Sequence, residues 1–201
     1  MEIVTSFYQE NAEAFSDTRF CLWDVVRDFG KQFTKDDYVL DAGCGNGKNI
    51  KYFQNQTTIM GFDKSEPLLE ICKKKGYDVF HSDILDIVMD DESFHYIICI
   101  AVIHHLDSLQ KHISAIRELM RLLKPNGQLL VTLWAFESDD YSKKKNFQKG
   151  GNIVKFNQAE RYYYIYDEMM VKELLDKLNY KSHYYWERGN WNLIFTKSSE
   201  E

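Results

Sequence analysis

The sequence predicts a doubly wound α/β sheet that closes with an antiparallel C-terminal hairpin. Apolar strand-like runs alternate with amphipathic helical patterns along most of the chain, the signature of parallel strands joined by crossover helices. The tail breaks that alternation: Tyr180–Glu187 and Asn190–Lys197 read as two strands joined by a tight turn at Arg188-Gly189. A third observation marks the first strand as the ligand strand. Tyr38-Val39-Leu40 run into the acidic Asp41 and then into Gly43, Gly45 and Gly47, a glycine at every second position. Backbone in such a loop approaches a ligand with no side chain in the way.

Strands are expected at Tyr38–Ala42, Ile59–Asp63, Asp78–Ser82, Phe94–Ile100 and Gln128–Trp134. Between the last two, Leu109, Ile113, Ile116, Met120 and Leu123 recur at helical spacing, with Asp107 or Ser108 as the cap. Pro125-Asn126-Gly127 ends that helix and turns the chain into the fifth strand. Asp167 caps a further helix carrying Met170, Val171, Leu174 and Leu178. Residues 1–35 read as an N-terminal helical cap and residues 137–158 as a surface insertion. Within the latter, Asp139–Asn157 is polar, with Lys143-Lys144-Lys145, Lys149, Gly150 and Gly151, and reads as mobile loop. No repeat or linker divides the chain, so residues 1–201 are expected to form one domain.

Composition narrows the function classes. Hydrophobic residues make up 44% and charged residues 28%, ordinary values for a soluble globular protein. No apolar run approaches a membrane span, and Glu2, Glu10 and Glu13 do not fit a signal peptide. Cys21, Cys44, Cys72 and Cys99 form no C-x-x-C pair and read as reduced thiols of a cytoplasmic or nuclear protein. A net charge of −6 argues against a broad basic surface, so any nucleic-acid contact must be local or shared with a partner. Thirteen Tyr, thirteen Phe and four Trp leave room for stacking surfaces beyond the core.

The chemistry-bearing positions follow the strands. Ile59-Met60-Gly61-Phe62-Asp63 is a second apolar run ending in a carboxylate, placed to accept hydrogen bonds from two ribose hydroxyls. A nicotinamide-binding loop would read G-x-G-x-x-G, but Lys48 sits where its third glycine belongs. The G-x-G-x-G spacing instead resembles the first motif of the class I S-adenosylmethionine-dependent methyltransferases. That resemblance implies a Rossmann-like sheet whose last strand runs antiparallel. It also implies that the Gly43–Gly45 loop approaches the methionine part of the cofactor, Asp41 anchors that loop and Asp63 holds the ribose. Asp83 would meet the adenine amino group, Ile84 would pack on the ring, and Ile100-Ala101-Val102-Ile103 would form the floor beneath the sulfonium. The pair His104-His105 after the fourth strand borders the acceptor side. Adjacent side chains diverge and no third ligand stands nearby in sequence, which rules against metal there.

A narrower resemblance rests on several segments together. Val4-Thr5-Ser6-Phe7-Tyr8, Phe15-Ser16-Asp17-Thr18-Arg19-Phe20, Asp41–Lys48, Ala101–His105, Arg121–Pro125, Trp134-Ala135, Arg161-Tyr162-Tyr163 and Gly189-Asn190-Trp191 resemble the eukaryotic tRNA methyltransferases that esterify wobble carboxymethyluridine. The same enzyme occurs as the methyltransferase domain of an AlkB-type homologue. The likeness implies a tRNA anticodon loop as substrate and a small zinc-binding activator protein as partner in a heterodimer, the zinc being the activator's own. It implies a cofactor set of Tyr8, Arg19, Asp41, Gly43, Cys44, Gly45, Asp63, Lys64, Asp83, Ile84 and Ala101. Arg19, His104 and Arg161 would be the catalytic residues, and Trp134, Asn190 and Trp191 would meet the substrate. The chain departs from the family at Asp139–Gln158, shorter than the usual insertion, so contacts of a longer loop do not carry over.

A carboxylate acceptor also accounts for an absence. It is ionised at neutral pH, with a reference pKa of about 4, and needs no general base. It needs a cation to orient it, and the planar fork of arginine does so bidentately. Two alternatives stay open on the sequence: a methyltransferase of this fold acting on a small metabolite, and a non-catalytic module that keeps the fold as a scaffold.

Overall fold

The computed structural model describes residues 12, 21–137, 146–156 and 159–199. Nine strands and five helices are found among them. They are α1 (Asp24–Phe29), β1 (Tyr38–Ala42), α2 (Lys48–Phe53), β2 (Thr58–Asp63), α3 (Glu66–Lys74), β3 (Val79–His81) and β4 (Phe94–Ile100). After a 3₁₀ turn at Ile103–His105 come α4 (Leu109–Leu122), β5 (Leu123–Trp134), β6 (Gly150–Phe156), β7 (Ala159–Ile165), α5 (Glu168–Leu178), β8 (Lys181–Glu187) and β9 (Asn190–Thr196).

Seven strands form one sheet in the order β3-β2-β1-β4-β5-β9-β8. β1 lies parallel to both β2 and β4, with Leu40 opposite Met60 on one side and Ile97 on the other. β5 continues the parallel set, while β9 returns antiparallel with Val131 opposite Leu193, and β8 closes the edge as the expected hairpin. The inner strands are apolar on both faces because helices cover both. On one face Leu40, Ile97, Val131 and Leu193 pack with Ile113, Ile116 and Leu119 of α4 and Leu174 of α5. On the other, Val39, Ile98 and Leu130 pack with Val26 and Phe29 of α1 and Phe53 of α2. The strand order reverses at β1 and β4, and in open α/β sheets ligands bind outside the carboxyl ends of the strands at that point.

Local signals behave as their chemistry requires. Ser108 caps α4 by accepting from the Lys111 N–H, and Asp167 caps α5 by accepting from the Met170 N–H at 2.9 Å. Pro125-Asn126-Gly127 does turn the chain, but inside a longer strand. β5 starts at Leu123, and the register with β4 jumps between the Phe94–Leu123 and Tyr96–Gln128 pairs, with Asn126 at φ +65°.

The stretch expected to be loop between Asp139 and Asn157 differs from the expectation over Gly150–Phe156. Gly150–Phe156 is a strand, paired antiparallel with β7 in a separate two-stranded sheet. Its outward residues Ile153 and Lys155 are exposed, so it lacks the apolar alternation by which strands are recognised. β7 supplies that alternation, with Arg161, Tyr163 and Ile165 buried against the body of the protein. Of the N-terminal cap, α1 and the 3₁₀ turn Gly30–Gln32 are described; most of residues 1–20 lies outside the described residues.

Candidate active site

The site grows out of the first crossover. β1 carries Asp41 to 1% exposure, where Asn49 at the start of α2 donates from Nδ2 to both carboxylate oxygens at 3.1 and 3.2 Å. Burial pushes the Asp41 carboxyl up to about 7, against the pull of Asn49 and the charge of Lys48. The loop then doubles back over β2, with the N–H groups of Gly43 and Cys44 both donating to the Phe62 carbonyl at 2.8 Å. Gly43 at φ +75° and Gly45 at φ +56° are left-handed, for different reasons. A Cβ at Gly43 would stand 2.3 Å from Cγ2 of Val102, so the loop is packed onto the segment after β4. A Cβ at Gly45 would meet no atom within 4 Å, because Gly45 borders open space in the cleft.

Asp63 ends β2. Its Oδ2 accepts from the Gly45 N–H at 2.8 Å and its Oδ1 from the Ser65 N–H at 2.9 Å. Two backbone donors fix the carboxylate and leave lone pairs on both oxygens for a ligand. Burial holds this carboxyl above its ordinary value despite those donors. Beyond it, Lys64 Nζ and Asp83 Oδ2 pair at 2.6 Å, and Asp83 Oδ1 accepts from the Leu85 N–H at 3.1 Å. Burial pushes the Asp83 carboxyl up, but Lys64 and the Leu85 amide outweigh it and hold it below its ordinary value. Ala101 forms the floor after β4 at φ +60°, a left-handed conformation costing a non-glycine residue about 1–2 kcal/mol. Its N–H is held by Oγ1 of the buried Thr132 at 2.9 Å.

The opposite end is aromatic and cationic. His104 in the 3₁₀ turn is 1% exposed, and neither ring nitrogen has a hydrogen-bond partner among the described residues. Tyr163 of β7 stacks on it at 5.1 Å between centroids and on Trp134 at 4.2 Å. Arg161, also buried, holds its guanidinium 5.3 Å from the Tyr163 ring. Burial, then the neighbouring His105, His112 and Arg161, push the His104 imidazole well below its ordinary value. His105 is pushed down to about 4, chiefly by burial, while its Nδ1 lies 2.9 Å from the Tyr162 carbonyl. Both imidazoles are therefore neutral and weakly basic at physiological pH.

One cleft of about 240 Å³ joins the two ends. Of the expected cofactor residues it is lined by Gly43, Cys44, Gly45, Asp63, Lys64, Asp83, Ile84 and Ala101, with Asp41 one layer behind Asn49. His104, Trp134 and Arg161 line it as well. Tyr163 covers one face of Trp134, and the Phe147 ring stands tilted 5.8 Å away. Asn190 and Trp191, expected at the substrate, are placed elsewhere. Successive strand residues face opposite sides, so Trp134 at the cleft puts Leu133 and its partner Trp191 into the core behind. Trp191 there donates from Nε1 to Oε2 of Glu137 at 3.1 Å. Asn190 lies one strand removed, donating from Nδ2 to the Arg188 carbonyl at 3.1 Å. Tyr8 and Arg19 lie outside the described residues.

Two contributors escape the sequence. Asn49 carries no signal, because a polar residue early in a helix is unremarkable until its burial against Asp41 is seen. Tyr163 was within reach, since the apolar alternation of Tyr163 and Ile165 marks its strand.

Known proteins match this arrangement. A family model described as a methyltransferase domain matches residues 40–131. A tRNA (carboxymethyluridine(34)-5-O)-methyltransferase of Arabidopsis thaliana is 39% identical over 135 residues, 67% of this chain and 33% of the relative. A putative methyltransferase of Encephalitozoon cuniculi is 31% identical over 188 residues, 89% of this chain and 87% of the relative. Among solved structures, a SAM-dependent methyltransferase of Thermotoga maritima superimposes with a TM-score of 0.69 at 20% identity, covering 98% of this chain and 99% of that one. This chain spans between 22% and 34% of the length of the tRNA methyltransferases it matches.

Proposed function

The chain belongs to the class I S-adenosylmethionine-dependent methyltransferases, and from that premise we propose that it methylates the carboxylate of 5-carboxymethyluridine at the tRNA wobble position. The cofactor fits the residues present. Gly45 leaves open space where a side chain would stand, Asp63 keeps lone pairs for two ribose hydroxyls, and the Lys64–Asp83 pair beside Ile84 offers a polar and apolar edge for adenine. When bound, S-adenosylmethionine supplies an electrophilic methyl group on a positively charged sulfur.

One observation carries the choice of acceptor. A buried arginine stands beside histidines that are held neutral, so the acceptor end collects an anion and has no strong base. A carboxylate has no proton to lose and would take the methyl group as the carbon–sulfur bond breaks and the neutral thioether leaves; Arg161 would orient it and the Trp134–Tyr163–His104 wall would exclude water. An alcohol or amine would need a base better than these imidazoles. The Arabidopsis relative, a tRNA (carboxymethyluridine(34)-5-O)-methyltransferase, supports the same substrate. Arg19 is proposed as a second cation on the strength of the family resemblance.

A heterodimer with a small zinc-binding activator belongs to this proposal and rests on the resemblance and on the chain's net charge of −6, which disfavours unaided tRNA binding. Among the described residues no cluster could hold a metal and no helix is long and apolar enough to cross a membrane. The test is transfer of labelled methyl from S-adenosylmethionine to tRNA lacking the ester, with and without the activator. Base-labile label at the wobble nucleoside, increased by the activator, is expected. Label on small metabolites but none on tRNA would overturn the substrate, and full turnover indifferent to the activator would overturn the partner.

A further inference from the structure

We propose that His112 and Tyr166 form a buried strut that positions the acceptor end of the cleft, an inference that rests on the methyl-transfer reading above. Neither residue lines the cleft, and both are fully buried. His112 sits on the first turn of α4, and its Nε2 lies 2.9 Å from the carbonyl of Leu106, the residue that ends the 3₁₀ turn carrying His104. A carbonyl can only accept, so Nε2 carries the proton. A neutral imidazole then has a bare Nδ1, which accepts the hydroxyl proton of Tyr166. Burial pushes the His112 imidazole down to about 4, so this tautomer is not lost to protonation at physiological pH.

Tyr166 extends the strut on its backbone. Its N–H donates to the Trp134 carbonyl at 2.9 Å and its carbonyl accepts from the Phe136 N–H at 2.7 Å. One residue therefore ties the end of β5 to the end of β7, and its hydroxyl ties both to α4 and, through His112, to the His104 turn. Those three segments carry Trp134, Arg161 with Tyr163, and His104, the four side chains of the acceptor wall. The cofactor loop shares no member of the strut. Loss of the strut should therefore move the acceptor relative to the methyl group while leaving cofactor affinity alone, and ångström-scale misplacement costs about 100-fold in rate.

The test uses the full chain with His112→Leu, His112→Gln, Tyr166→Phe and the His112→Leu/Tyr166→Phe double variant. Tyr166→Phe conserves volume and should keep the fold. We expect kcat on tRNA to fall about 10- to 100-fold in His112→Leu and Tyr166→Phe, with cofactor Kd within twofold of wild type. His112→Gln, whose amide can still donate to Leu106, should recover part of the loss, and the double variant should be no worse than His112→Leu. Lowered thermal stability with unchanged kcat, or losses that multiply in the double variant, would overturn the strut. Wild type that labels no tRNA would refute the substrate instead, and the strut is then judged from imidazole NMR. The Nε2–H tautomer at His112, with His104 resonances that shift in Tyr166→Phe, supports it. The Nδ1–H tautomer or unmoved His104 resonances overturn it.

Discussion

Substituting alanine for Gly45 and, separately, for Gly43 distinguishes a ligand-facing glycine from a packing glycine. Gly45 adopts φ +56°, so an alanine there pays left-handed strain of about 1–2 kcal/mol in the folded chain. Its Cβ would meet no protein atom within 4 Å, and its N–H would still reach Oδ2 of Asp63, so nothing further is lost from the fold. Gly43 adopts φ +75° and its Cβ would lie 2.3 Å from Val102, which adds an overpacking cost of about 1–3 kcal/mol to the same strain. On stability alone, Gly43→Ala is the worse variant.

Cofactor affinity should reverse that emphasis for Gly45. A methyl group added at Gly45 projects where a ligand must come close, so Gly45→Ala should weaken S-adenosylmethionine binding by about 10- to 100-fold, or 1.4–2.7 kcal/mol. The thermal midpoint should drop by only about 2–8 °C, for a loss of 1–2 kcal/mol in a chain of this size. Calorimetric titration and thermal unfolding on both variants give the comparison. Gly45→Ala that binds the cofactor like wild type while losing the expected stability would refute the placement of the ligand against this loop.

Other consequences can be measured directly. Asp63→Ala should weaken cofactor binding by about 1–3 kcal/mol through orphaned ribose hydroxyls, and unchanged calorimetric affinity would remove Asp63 from the site. Arg161→Ala should lower kcat/KM on tRNA roughly 30- to 5,000-fold, with lysine restoring activity only in part; a near-normal rate would sink the carboxylate clamp. Asp41, raised to about 7 when folded against about 3.9 unfolded, holds a proton in the folded state alone between those values. Its contribution is fully present below about pH 4 and falls away as pH rises to about 7, by up to about 4 kcal/mol, so stability declines with pH through that window. Asp41→Asn should flatten the decline in urea midpoints, and an unaltered slope would show the carboxyl to be ionised in the fold.

Legibility in the sequence followed the kind of force that places each residue. The parallel strands were readable because burial on both faces leaves continuous apolar runs such as Phe94–Ile100. Helix caps were readable because Ser108 and Asp167 act within three residues of themselves. The placement of Asp41, Asp63 and Asp83 is readable too, since each sits at or just past a strand's carboxyl end, where chain order dictates position. Trp191 was not, because one residue of strand phase decides between cleft and core, and sequence does not fix which face of β9 meets the cleft. β6 is hidden for a related reason: a ribbon with an exposed outer side needs no apolar alternation, so its two glycines and Lys155 look like loop.

The division between the two ends of the cleft also says where acceptor identity resides. The methyltransferase family model matches residues 40–131, a span that includes the glycine loop, Asp63, Asp83, Ala101 and His104. Trp134, Arg161 and Tyr163 all lie beyond it, on the last residue of β5 and on β7. On the proposed reading the span matched by the family model would hold the cofactor, and His104 is the point where that span meets Trp134 and Tyr163. Arg161 reaches the cleft because β7 packs on the 3₁₀ turn rather than joining the seven-stranded sheet. A strand outside the main sheet can change its residues without disturbing the β1–β4 crevice. If the acceptor is the proposed carboxylate, its selection over another nucleophile rests on a two-stranded ribbon laid across the methyl-transfer fold, and exchanging residues 150–165 is the substitution that should change acceptor while cofactor binding persists.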